Sequence, residues 1–177
     1  MSYDTLATGS YLGLYARGQW EYAARTNCTG AVAILPLTDD NQLILVEQFR
    51  VPLQQRVIEI PAGLAGDEAG FEHESLSDTA QRELLEETGY LASEMIPLFH
   101  GPTSPGMTTE MVHFFAATGI RREHAGGGTE HEDIVVHQVP LSGFNGWVAD
   151  KQSEGLLIDC KIHACLYLAY QRGIIKA

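Results

Sequence analysis

Apolar residues in this chain come in two rhythms. Residues 30–38 and 42–49 are nearly unbroken apolar runs, separated by Asp39-Asp40-Asn41. Runs of that length and composition read as strands, and the acidic tip between them has good turn chemistry. Val57, Ile58, Glu59 and Ile60 make a shorter strand stopped by Pro61 and followed by Gly63, and 95–100, 111–117 and 134–139 are further strand candidates. Residues 9–26 read as two strands turning near Arg17-Gly18.

The rhythm changes after residue 74. Leu76, Ala80 and Leu84 recur every four residues, the spacing of one helix face that packs on a sheet. Ser75 or Ser77 is a natural cap, Thr88 the last residue, and Gly89 stands where a left-handed residue closes a helix. Helices over 141–150 and 159–172 finish the chain, the second capped by Asp159 and ended by Gly173. Strands and helices mix with no internal repeat and no linker, so the expectation is one α+β domain over residues 1–177.

The other face of the helix carries the chemistry. Glu83, Glu86 and Glu87 stand at i, i+3 and i+4, three carboxylates within one turn on one face. Glutamates are good helix formers, and such clusters are often plain solvated surface. A self-repelling cluster also suits a hard divalent cation, which takes several oxygen ligands and binds beside substrate phosphates.

The spacing extends well beyond those acids. Glu74, seven residues, Arg82-Glu83, an aliphatic residue, any residue, Glu86-Glu87, any residue, Gly89 and an apolar residue resemble the Nudix hydrolase signature, Gly-x5-Glu-x7-Arg-Glu-U-x-Glu-Glu-x-Gly-U with U bulky and apolar. The front of the motif departs from it. The signature glycine falls on Glu68, and the nearest equivalent, Gly63, lies eleven residues before Glu74 instead of six, so the loop over 64–73 is about five residues longer. Insertions in surface loops are thermodynamically cheap. The displaced glycine leaves the role of Glu74 open.

The resemblance is strongest to the ADP-ribose pyrophosphatase and nucleoside-diphosphate-sugar branch. Glu47-Gln-Phe-Arg50, Glu59-Ile-Pro-Ala-Gly63, Ser104-Pro-Gly106 and Glu130-x-Glu132-Asp133 follow the branch's order, and Pro105, 15 residues after Tyr90, occupies the place of its proline marker. The resemblance implies an α/β/α sandwich with a mixed sheet. It implies two or three Mg²⁺ (or Mn²⁺) ions held by Glu83, Glu87, nearby Glu86 and the Ala62 carbonyl, with Glu132 as an occasional ligand. Arg82 would pair with the box glutamates and orient them. The base that deprotonates the attacking water would come from the later loop, Glu130 in first place and Glu132 in second, with Glu86 as the box alternative. Gly126, Gly127 and Gly128 would let that loop move, and His131 would be incidental.

For the substrate, the resemblance implies Arg50 against diphosphate or ribose, unless it is a salt-bridge partner of Glu59 or a box acid. Glu59 would bind ribose hydroxyls or support the metal site, Arg25 would contact the nucleotide, and Glu110 would reach the substrate rim. Trp20 and Tyr22 have faces suited to stacking on a base, or to core or dimer packing. The N-terminal strands over 9–26 would exchange in a homodimer. The implied reaction is hydrolysis of ADP-ribose to AMP and ribose 5-phosphate. The alternatives are another nucleoside diphosphate sugar such as GDP-mannose, or a non-catalytic nucleotide-sugar sensor, which intact box acids disfavour.

Composition narrows the partners further. A formal charge of −12 argues against nucleic acid, whose phosphates need Lys and Arg. Hydrophobic content of 45% and charged content of 19% are globular. No apolar run approaches the roughly 20 residues that span a bilayer, and no basic-then-apolar leader opens the chain, so no membrane partner is expected. Three cysteines, Cys28, Cys160 and Cys165, show no metal-ligand spacing and suggest a reducing cytoplasm, with the last two packing in a helix.

Overall fold

In the computed structural model, residues 2–67, 70–129 and 133–175 are described. The strands are β1 (Asp4–Thr8), β2 (Leu12–Arg17), β3 (Trp20–Arg25), β4 (Gly30–Pro36), β5 (Gln42–Arg50), β6 (Gln55–Glu59) and β7 (Ala62–Ala65). Helix α1 (Leu76–Thr88) follows, then β8 (Tyr90–Leu91), β9 (Glu94–Pro102), β10 (Met111–Thr118), β11 (Arg121–Arg122) and β12 (Ile134–Pro140). Helix α2 (Phe144–Ser153), β13 (Leu157–Ile158) and α3 (Cys160–Gln171) complete the order.

Two mixed sheets form the centre. One runs β7-β4-β10-β9, with β4 and β10 parallel and the other pairs antiparallel. The second runs β12-β5-β6-β13, with only β6 and β13 parallel. The near-continuous apolar run of β4 is explained by burial on both faces. Its Ala31, Ala33 and Leu35 enter a core shared with Phe144 of α2 and Ile162, Cys165 and Ala169 of α3. Val32 and Ile34 point the other way, into a core with Ala80 and Leu84 of α1. The result is the expected α/β/α sandwich.

Helix α1 has the boundaries its sequence predicts. The Ser75 hydroxyl accepts from the Asp78 N–H at 3.2 Å, and Gly89 closes the helix in the left-handed region at φ 75°. Elsewhere the structure adds elements that the pattern hides. Ala62–Ala65, read as the start of a loop, is an edge strand whose small residues gave no β-branched signal. β1 precedes the two expected N-terminal strands. Cys165 is fully buried as expected, whereas Cys160 is exposed at the first turn of α3. Five residues of helix separate the two by about 140°, so one helix cannot bury both on the same face.

The sheet β1-β2-β3 stands apart from both cores, neither of which takes a residue from the first 28 described. It is joined through β3, where the Ala23 N–H donates to Met107 O at 2.8 Å and the Thr109 N–H to Ala23 O at 3.1 Å. Among the described residues no helix is long and apolar enough to cross a membrane.

The packing of α1 makes a direct test. Leu84→Ala opens a void beneath the helix at a position with 0% exposure and is expected to lower unfolding free energy by about 2–5 kcal/mol in chemical denaturation. A loss below about 0.5 kcal/mol, the scale of a surface change, would show that this face does not hold the helix.

Candidate active site

One cavity of about 450 Å³ lies where β4, β5, β6, β7, α1 and the start of α3 meet, and Arg25, Arg50, Glu59, Ala62, Glu83, Glu86 and Glu110 all line it. Seven of the residues singled out in the sequence therefore share one space. Glu87 is 4% exposed and accepts a hydrogen bond from the Ala62 N–H at 3.2 Å.

Gly63 explains how the helix comes so close. A Cβ there would overlap the Glu83 carboxylate where it stands, so any other residue would force that side chain to move. Gly63, the nearest equivalent of the signature glycine, thus sits directly against the first box glutamate despite the longer loop. Arg82 is the hub of the acids. Its guanidinium meets Glu83 at 2.9 Å, and Glu74 and Glu86 each at 3.3 Å, and its side chain is only 12% exposed. Glu74 also accepts from the Thr79 hydroxyl at 2.9 Å, so its place is to fix the arginine from the start of the helix.

One guanidinium does not balance three acids. Burial pushes the Glu83 carboxyl from 4.5 up to about 7, Arg82 pulls it back, and Glu86 adds repulsion. Burial outweighs the ion pair. Among the described residues no three acidic, histidine or cysteine side chains already stand in a coordinating arrangement. The donor chemistry is nonetheless that of a hard divalent cation: oxygen ligands only, close together, and under-compensated.

Cations line the same cavity. Arg50 reaches Glu59 through two hydrogen bonds, one of 2.8 Å from Nε, which is the salt-bridge alternative raised by the sequence. Arg25 pairs with Glu110 at 2.7 Å. Lys161, paired with the α3 cap Asp159, also lines the cavity, as does Asp67. Sequence reasoning missed both, since a lone lysine in a helix's first turn and an aspartate in a loop carry no signal of the cavity they share.

Other residues fall elsewhere. Trp20 is 67% exposed at the start of β3 and does not line the cavity, because the free N-terminal sheet carries it outward. Tyr22, one strand pleat along, packs beside Tyr15 with ring centroids 5.9 Å apart. Pro105 is exposed in a turn closed by the Met107 N–H on Ser104 O at 3.0 Å, and it too is absent from the lining. Glu130, His131 and Glu132 lie outside the described residues. The glycine run before them is pinned, not free: Gly127 and Gly128 donate to Glu87 O and Glu86 O at 2.9 and 3.1 Å. A Cβ at Gly126 (φ 72°) would overlap the backbone of Thr88, so Gly126 serves close approach to α1.

Comparison with known proteins agrees with this architecture. Residues 29–151 match the NUDIX domain, and the chain belongs to that family of hydrolases. It is 36% identical over 147 residues to the methanol dehydrogenase activator of Bacillus methanolicus, covering 82% of this chain and 75% of that protein. It is 49% identical over 88 residues to an ADP-ribose pyrophosphatase of Bacillus subtilis (strain 168), covering 50% of this chain and 45% of the relative. The GDP-mannose pyrophosphatase of Escherichia coli (strain K12) is 36% identical over 121 residues, 64% of this chain and 60% of that protein. The fold is shared with a solved ADP compounds hydrolase at a TM-score of 0.73 and 22% identity, over 97% of this chain and 91% of that one.

Glu83 supplies the prediction for this site. Its folded pKa is above its unfolded value, so the native state binds more protons between the two. In metal-stripped protein, stability should therefore fall as pH rises from about 4.5 to about 7. Glu83→Gln should remove that dependence and stabilise the metal-free protein at pH 8 by on the order of 3 kcal/mol. Parallel stability–pH curves for parent and variant would refute the assignment.

Proposed function

We propose that the protein hydrolyses the diphosphate bond of a nucleoside diphosphate sugar with a divalent metal ion, Mg²⁺ or Mn²⁺, and that ADP-ribose is its first substrate, giving AMP and ribose 5-phosphate. The observation that carries this reading is one cavity lined both by the acids Asp67, Glu83 and Glu86 and by the cations Arg25, Arg50 and Lys161. A diphosphate would be held there by the fixed cations and by metal-bound carboxylates.

Glu83, Glu86 and Glu87, with the Ala62 backbone beside them, are the residues that would hold the ions; bound there, divalent metal neutralises diphosphate charge and polarises the phosphorus centre. The chain's own groups do the rest. Arg50, fixed by Glu59, and Lys161, fixed by Asp159, present cations that need no reordering when substrate enters. Water adds across the P–O–P bond, its proton passing to a carboxylate, and the two phosphates separate. Glu130 is the proposed base, Glu132 an alternative base or metal ligand, and Glu86, at 39% side-chain exposure, the carboxylate of the box open to solvent. Arg25 and Glu110 border the rim, and Glu59 is a further contact for ribose hydroxyls.

The relatives support two substrates. The ADP-ribose pyrophosphatase match has the higher identity, and the GDP-mannose pyrophosphatase match covers more of the chain. The assay that separates them incubates the protein with each compound and Mg²⁺ and measures phosphate released by added phosphatase. ADP-ribose should turn over faster, and equal or reversed rates would defeat that choice. Glu130→Gln should lower kcat by about 100- to 10,000-fold; an unchanged turnover would move the base to Glu132 or the box.

A homodimer built through the N-terminal sheet belongs to the same proposal. Tyr11 in the bend before β2, Trp20 on β3 and Leu12 on β2 expose 70%, 67% and 51% of their surface in a sheet that enters neither core, and small sheets need an apolar face covered to be stable. A second copy would cover that surface and bring Trp20 to the partner's cavity, where it would stack on the base. Light scattering should give twice the 19.4 kDa chain mass. Tyr11→Asp combined with Trp20→Asp should yield monomer, and a dimer unaffected by both would place the interface elsewhere.

A further inference from the structure

The loop ahead of α1 is longer than the family spacing requires, yet α1 is not displaced by it. The excursion closes on itself. At Gly66 (φ 73°) a Cβ would stand 3.0 Å from the Thr29 hydroxyl and 3.6 Å from Glu72 O, so the two ends of the loop meet. The Thr29 N–H and hydroxyl both hold Ala65 O, at 2.8 and 3.1 Å, and the Glu74 N–H donates to Phe71 O at 3.0 Å just before the helix cap. The loop thus returns the chain to the helix start and sets Phe71 over Arg82, its ring centroid 5.2 Å from the guanidinium carbon.

That contact falls on the residue the box depends on. Arg82 bridges Glu74, Glu83 and Glu86 and also donates to Leu64 O at 3.4 Å. Ion pairs in free contact with water contribute little, and they strengthen as water is excluded. An aromatic face on a guanidinium also attracts it directly, on a scale of about a 3- to 30-fold change in an equilibrium. Phe71 is itself 40% exposed, so its ring is spent on covering a neighbour and not on filling a core.

We propose that Phe71, delivered by the lengthened loop, is a positioning residue that holds the Arg82 guanidinium and, through it, the Glu83 and Glu86 carboxylates in the arrangement that takes up a divalent ion. The inference rests on the metal-dependent reading above. Its effect is on metal uptake and turnover, because the substrate-facing cations Arg25, Arg50 and Lys161 are not attached to this loop.

The test measures Mn²⁺ binding to the metal-stripped full chain by calorimetry, then steady-state kinetics. Phe71→Leu keeps apolar bulk and removes the aromatic face. It should weaken Mn²⁺ binding by about 3- to 30-fold and lower kcat at fixed Mn²⁺ with KM little changed, while thermal melting stays at the parent value. Phe71→Tyr restores the face and should restore both quantities. Parent-like Mn²⁺ affinity and kcat in Phe71→Leu would overturn the proposal, as would a Phe71→Tyr protein as impaired as Phe71→Leu. Failure of the parent to bind Mn²⁺ is a different result, since it defeats the metal reading beneath. The binding measurement uses no substrate, so an error in the choice of sugar does not touch it.

Discussion

Three carboxylates on one turn of α1, pressed against a sheet with a single arginine among them, set the terms for the rest of this structure. The helix is brought there by Ala80 and Leu84, both with 0% exposure, on its opposite face. The fit is close enough that a Cβ at Gly63 would overlap the Glu83 carboxylate where it stands. Apolar packing on one face thus holds acids together on the other, where they repel. Arg82 relieves part of that repulsion, but burial, with Glu86 adding to it, still raises the proton affinity of Glu83. The fold has thus already done the work of assembling these oxygen groups.

The cations of the cavity come from elements distant in sequence. Arg25 belongs to β3, Arg50 to the end of β5 and Lys161 to the first turn of α3. Each is tethered to its own acid, Glu110, Glu59 or Asp159, and so keeps its place without substrate. The chain as a whole carries −12, yet it presents three positive side chains to one cavity.

What the sequence disclosed follows from the range of the interactions involved. The caps of α1, its buried stripe and its acids are set by residues close together in the chain, and the Nudix spacing captures the acids, Leu84 and the closing Gly89. β4 and β5 were legible because burial on both faces demands an unbroken apolar run. Lys161 and Asp67 were not, since their meaning comes only from the crossing of chain segments. The glycine run misled for a physical reason. Glycine suits both a hinge and a tight approach, and only the Thr88 backbone against Gly126 decides for the second. Cys160 failed by helical phase alone.

That decision changes how the later loop relates to the box. The amides of Gly127 and Gly128 take up the carbonyls of Glu87 and Glu86, the same residues whose side chains face the proposed metal site. Beyond the next stretch, Asp133 is held by Arg56 at 2.7 Å, and Arg56 is itself locked to Glu47, which His137 meets at 2.9 Å. Both ends of the acidic segment are therefore fixed to the scaffold, one to the helix of the box and the other to β6. Hydrogen bonds to a helix's last carbonyls also remove orphan acceptors that would otherwise need water. One set of contacts thereby finishes the helix and registers the loop against it. A change that frays the end of α1 therefore also loosens the contacts of Gly127 and Gly128.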